Sequence, residues 1–187
     1  FPYAALRNDA DAGMKLNYKH YIKWERQVTK WNNSFKKFIK STNLRANQIL
    51  QQDFKQDFEI KLDFVPIKHN IIADSLTLNW LEPKINIVIP KFQKKRNAIK
   101  RAHSFLNEAK WTAIGLSIRL AILEDVTYRP SPVDLKCLVM DDMLLSLDMS
   151  NREIVLDLLL SRYVTDYQLI LMTHDSHFYE LAKGKIN

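Results

Sequence analysis

The run Cys137-Leu138-Val139-Met140 ends abruptly in two adjacent carboxylates, Asp141 and Asp142. A short, continuous apolar segment of this kind reads as a buried central strand. A strand ending in paired acids delivers them to a sheet edge, where open α/β sheets take their ligands. Ser146-Leu147-Asp148 then forms a second polar cluster, and Ser150-Asn151-Arg152-Glu153 has the Ser-x-x-Glu form of a capping box. A helix is therefore expected from Asn151 to about Tyr163. Gln168 to Met172 reads as a second buried strand, ending in Thr173-His174-Asp175. Strand, helix and strand in this order make a parallel crossover. Such a unit carries Asp141, Asp142 and His174 to one edge. Ser176 to Lys183 should close the chain as a short helix, with Gly184 as its C-terminal stop. The expected class is α/β, with parallel strands and flanking helices.

Upstream, residues 1–13 read as a turn or frayed lead-in. Tyr21, Trp24, Val28, Trp31, Phe35 and Phe38 recur three and four residues apart, which places all six on one face of a helix that begins near Lys15. Lys23, Lys30, Lys36, Lys37 and Lys40 occupy its other faces. Core packing is the reading that helical spacing favours, ahead of base stacking by single-stranded nucleic acid. The helix should continue through Leu44 and Ile49 and fade at Gln51-Gln52-Asp53. Ile60, Leu62 and Phe64 alternate as a half-buried strand closed by Pro66, and Ile85, Ile87 and Ile89 as another closed by Pro90. Ile71 to Trp80 fits either a strand or a short helix. Residues 1–55 are thus expected as a helical arm and 56–187 as an α/β lobe.

The densest basic run follows: Lys94, Lys95, Arg96, Lys100 and Arg101, with Lys91 just before. It reads either as a solvated face or as a phosphate-backbone contact. Ala109, Ala113, Leu116, Leu120 and Leu123 then mark the buried face of a helix for which Ser104 is the expected N-cap. Its N-terminus favours an anion through free backbone N–H groups and the helix dipole.

With 28 Lys and Arg against 21 Asp and Glu, the formal net charge is +7. That excess suits a polyanion partner but says nothing about fold. A single cysteine, Cys137, excludes an intrachain disulfide, reads as a small core hydrophobe and favours the cytoplasm. No stretch is long and apolar enough for a transmembrane helix, so no membrane partner is expected. None of the three glycines opens a Gly-x-x-x-x-Gly-Lys phosphate loop. Phe1 in place of Met makes a fragment or processed product the expectation.

Two carboxylates at a strand end have three uses. They hold a hard cation such as magnesium, they divide labour between cation and water, or they cap neighbouring helices. His174 at the same edge is placed to bond a phosphate or an attacking water, or only a loop. Zinc is a poor fit to one cysteine and scattered histidines, and His177 reads as surface.

The order of these motifs resembles the C-terminal part of the ATPase head in the ABC-type superfamily, in the RecF and SMC-like branch that includes the Rad50 proteins. Cys137 to Asp142 is similar to Walker B, Leu145-Ser146-Leu147-Asp148 to the D-loop, and Thr173-His174-Asp175 to the switch-histidine segment. Ser104 to Lys110 occupies the place of the signature motif but lacks its two glycines, and Asp142 replaces the commoner Glu. The resemblance implies the C-terminal lobe of a P-loop ATPase head with a long N-terminal helix as the base of a coiled coil. ATP and Mg2+ would be its cofactors: Asp141 would serve the metal, Asp142 would polarise the attacking water, and His174 would contact the terminal phosphate. Ser104, Asn107, Glu108 and Asp148 would meet nucleotide across a head-to-head homodimer. Lys94, Lys95, Arg96, Lys100 and Arg101 would be the DNA contacts. The phosphate loop would come from a missing N-terminal lobe, so the chain alone should be inactive. DNA repair and phage defence are the implied settings. A nucleic-acid-binding or scaffold module with a degenerate site is the alternative reading, and a metal-dependent nuclease or phosphatase a third.

Overall fold

The computed structural model describes residues 7–8, 15–16, 18–72, 77–90, 106–127, 136–142, 147 and 149–186. They divide by contact into two units, Phe1–Lys40 with Leu62–Asn86, and Ser41–Lys61 with Ile87–Asn187. The basic run at Lys94, Lys95, Arg96, Lys100 and Arg101 lies outside the described residues, as do Ser104 and Asp148.

The first unit is built on helix α1 (Tyr18–Gln48), of which residues 18–40 belong here. The aromatic seam is a packed face. Trp31 stacks on Phe35 at 4.8 Å between centroids, and Phe64 of β3 (Lys61–Val65) meets Phe35 edge-on at 5.1 Å. Trp24 and Tyr21 lie 4.8 and 5.9 Å from the ring of His69 in β4 (Lys68–Ile72). The Asn32 side chain donates to the Ile67 carbonyl and accepts from the Ile67 N–H, both at 3.0 Å, which fixes the turn after Pro66. β4 pairs antiparallel with β5 (Thr77–Leu81), so the described residues of the segment that fitted either strand or helix, 71–72 and 77–80, are in strands. β3 pairs with β6 (Lys84–Val88). Two short strands, Arg7–Asn8 (β1) and Lys15–Leu16 (β2), also pair antiparallel.

In the second unit α1 ends in a single π-helical turn, Ile49–Asp53. The Asn47 side chain donates to the Ile60 carbonyl and accepts from the Ile60 N–H, each at 2.8 Å, and thereby holds the chain that follows. α2 (Glu108–Thr127) and α3 (Met149–Arg162) both pack on the π-turn. Ile49, Phe58, Ile114, Leu120, Leu156 and Leu159 are fully buried between these elements. Each such side chain contributes about 1.5–3 kcal/mol. β7 (Cys137–Asp141) pairs in parallel with β8 (Gln168–Met172), with Val139 opposite Ile170 and Asp141 opposite Met172. The β7-α3-β8 crossover is thus as the sequence indicates.

Four local expectations are corrected. Among the described residues β7 is covered on one face only. Met140 is buried, but Val139 is 49% exposed, and Ile170 and Met172 beside it are also open. Its sequence has the continuous apolar character of a strand covered on both faces, while among the described residues only one face is packed. α2 is capped by Asn107, whose side-chain oxygen accepts the Lys110 N–H at 3.1 Å, three residues beyond the expected Ser104. α3 begins at Met149, which puts Ser150 inside its first turn, and the Glu153 carboxylate pairs with Lys185 at 3.0 Å and not with a cap. α4 (Ser176–Ile186) runs straight through Gly184. Lys185, held by Asp157 at 2.7 Å as well as by Glu153, ties that last turn to α3 and outweighs the glycine's helix-breaking tendency.

Candidate functional site at the ends of β7 and β8

The two parallel strands finish side by side, and Asp142 closes the gap between their ends. Its φ of 47° is in the left-handed region, which Asp tolerates better than most residues. In that conformation its N–H donates to the Met172 carbonyl at 3.0 Å, adding one more bond beyond the ladder. The carboxylate then turns across to the other strand's terminus. Oδ1 accepts the His174 N–H at 3.3 Å, and Oδ2 lies 2.8 Å from His174 Nδ1.

An ionised carboxylate only accepts, so this contact places a proton on Nδ1 and turns Nε2 outward. The His174 side chain is 74% exposed. Asp141, one residue earlier, is exposed at the end of β7. Of the three groups expected to converge, Asp142 and His174 therefore touch, and Asp141 stands next to them in the chain. Among the described residues no cluster of three His, Cys, Asp or Glu side chains is poised for a metal. The two adjacent carboxylates still fit a hard cation that takes one or two protein oxygens.

Behind this pair lies a network that motif reading missed. Arg152 of α3 is buried; its Nε donates to the Leu147 carbonyl at 2.8 Å, and its Nη1 donates to Asp175 Oδ2. The other oxygen of Asp175 accepts the N–H groups of His177 and Phe178 at 2.9 and 3.1 Å, capping α4. The Arg152 guanidinium, followed by these backbone donors, holds the Asp175 carboxyl below the usual carboxylate range. One arginine thus joins the loop after β7 to the residue that follows His174. Its sequence signal was there: Arg152 precedes Val155, Leu156 and Leu159 at helical spacing, so it sits on the buried face of α3 and requires an acid. His177 is exposed, as expected.

Asn107, expected to contact nucleotide, caps α2, and Glu108 is exposed in its first turn. A cavity of about 200 Å³ opens beside them, lined in part by Lys110, Leu147 and Asn151. The α2 N-terminus and the loop after β7 therefore share one recess.

No family model and no curated protein matches the chain. Solved structures do. A chain described under the structural biochemistry of ATP-driven dimerization and DNA-stimulated activation of SMC ATPases superposes with a TM-score of 0.50 at 16% identity. That match covers 81% of this chain and 78% of the other. The Smc head domain with an extended coiled coil from Pyrococcus furiosus, bound to the C-terminal domain of ScpA, gives a TM-score of 0.53 at 14% identity, covering 88% of this chain and 36% of that one. The chain has the fold of part of an SMC ATPase head, and it spans little more than a third of the Pyrococcus chain.

Proposed function

We propose, from that fold, that this chain is the C-terminal lobe of an SMC-like ATPase head, completed by an N-terminal lobe that carries the phosphate loop. The observation that carries the reading is the Asp142–His174 pair, formed where two parallel strands end together. The open apolar face of Val139, Ile170 and Met172 supports the same reading, because a second lobe would bury it.

In this reading Asp141 holds Mg2+ through a carboxylate oxygen, and the ion when bound neutralises charge on the phosphate oxygens of ATP. Asp142 polarises the attacking water by accepting its hydrogen bond. His174 presents Nε2 to the terminal phosphate, with its ring held by Asp142 through Nδ1. Ser104, Asn107 and Glu108 at the start of α2 face nucleotide bound by a second head, and Asp148 couples the two heads across a homodimer. The α2 N-terminus suits that task because its N–H groups and dipole attract phosphate. Residues 1–55 form the base of the arm, Lys94, Lys95, Arg96, Lys100 and Arg101 contact DNA, and the work of the assembled protein is DNA repair or phage defence.

The test is reconstitution. The chain alone should hydrolyse no ATP, and mixing it with the lobe that supplies the phosphate loop should produce Mg2+-dependent hydrolysis. A mixed complex that forms, binds ATP and yields no hydrolysis would remove the enzymatic reading and leave a scaffold.

A further inference from the structure

α1 carries a second pattern, on the side away from its aromatic seam. Lys23, Arg26, Lys30, Lys37 and Lys40 recur at three- and four-residue steps or their sum, with Asn33 filling the one gap. At 100° per residue the six lie within an arc of about 100°, roughly opposite the mean direction of the seam. All six are exposed. Among the described residues none of the five cations has an ion-pair or hydrogen-bond partner. The one acid in α1, Glu25, is turned elsewhere and lies 3.5 Å from His69 Nε2. The seam anchors the helix to β3 and β4, so the opposite face stays fixed in direction.

We infer that this stripe is a docking surface for the phosphate backbone of duplex nucleic acid, distinct from the basic run at 91–101. From Lys23 to Lys40 the helix rises by about 26 Å, which sets the length of the row. That length spans about seven or eight base pairs, whose phosphates supply more than enough charge for five cations. Cations spaced along a rigid rod with no acid among them suit a regular polyanion. The arc contains no aromatic ring for bases to stack on, so a duplex and not a single strand is the occupant. The cations meet phosphate, so binding should be independent of sequence.

The test uses the chain as it stands and involves no ATP. Binding to a fluorescent 30-base-pair duplex is measured by anisotropy across salt concentrations, for the wild type and for the triple variant Lys23→Gln/Lys30→Gln/Lys37→Gln. A control triple, Lys55→Gln/Lys68→Gln/Lys84→Gln, makes the same change in net charge at exposed sites elsewhere. We expect the stripe variant to bind about a hundredfold more weakly near 0.15 M salt, with the salt slope shallower by up to about 2.7, at about 0.9 for each phosphate no longer neutralised. The control should stay within a few-fold of the wild type. Unchanged affinity and slope in a stripe variant with a wild-type circular dichroism spectrum would overturn the inference. So would an equal loss in the control, tighter binding to single strands, or loss confined to binding of phosphatidylserine vesicles. None of these results bears on ATP hydrolysis, so this inference and the ATPase reading fail separately.

Discussion

Two charged clusters in the second unit are made of similar residues and are built for opposite ends. In one, Arg45 of α1 grips Glu124 of α2, Tyr163 donates to the same carboxylate at 2.6 Å, and Arg162 forks onto Asp53 at 3.0 and 3.1 Å while reaching within 3.7 Å of Glu124. Every side chain there is at least partly buried, and the cluster joins α1, the π-turn, α2 and the end of α3. In the other, Asp142 and His174 meet in the open, with one imidazole nitrogen unused by the pair. The closed cluster has its charges matched within the fold. The open one holds two groups in a fixed relation and leaves them facing outward, which is what a binding edge requires and a scaffold does not.

That contrast is broken most severely by removing the acid at its closed end. Glu124→Ala leaves the Arg45 guanidinium and the buried Tyr163 hydroxyl without their shared acceptor and removes a carboxylate 3.7 Å from Arg162. We expect it to cost about 2–3 kcal/mol, somewhat less than the 3–5 typical of a fully buried pair, read from urea unfolding midpoints. Next in size is Arg152→Met, which keeps the buried stem and orphans the Leu147 carbonyl at a cost of about 1–3 kcal/mol. It should also speed amide exchange at His177 and Phe178, whose N–H groups depend on the Asp175 cap that Arg152 holds. Unchanged exchange there would mean that the cap stands without the arginine.

Smaller still is the effect of pH. Burial alone would raise the Glu124 carboxyl, but the Arg45 guanidinium and the Tyr163 hydroxyl outweigh it and hold the group below its usual range. A folded-state pKa below the unfolded value of about 4.3 gives stability that is complete above that pH and lost as pH falls through the folded value. Unfolding midpoints should therefore drop below about pH 4.3, and less steeply in Glu124→Gln. Tyr163 is raised by burial and then by Glu124, so its share is lost only as pH climbs beyond about 10. The smallest change should come from the open cluster. Asp142→Asn keeps a residue that tolerates φ 47° and loses one exposed pair, a cost of about 0–1 kcal/mol.

The same contrast explains what could be read in advance. The parallel crossover and the meeting of Asp142 with His174 were legible because apolar runs ending in polar residues fix where strands stop. The aromatic seam was legible from its spacing. The closed cluster was not, since Arg45, Asp53, Glu124 and Arg162 are far apart in the chain and only tertiary packing joins them. The cap of α2 was misplaced because Ser104 and Asn107 both satisfy the local rule. The end of α4 was misplaced because ion pairs from Lys185 to another helix overrode the local signal of Gly184. The open face of β7 was invisible because an apolar strand reads alike whether its cover lies in the same chain or in another.

The most direct measurement compares the two clusters in the reconstituted head. Asp142→Asn should retain the stability of the wild type and its ATP binding while losing at least a hundredfold in turnover. Glu124→Gln should lose stability and keep turnover once folded. Hydrolysis at the wild-type rate by the Asp142→Asn head would contradict the assignment of the β7–β8 edge as the site of chemistry.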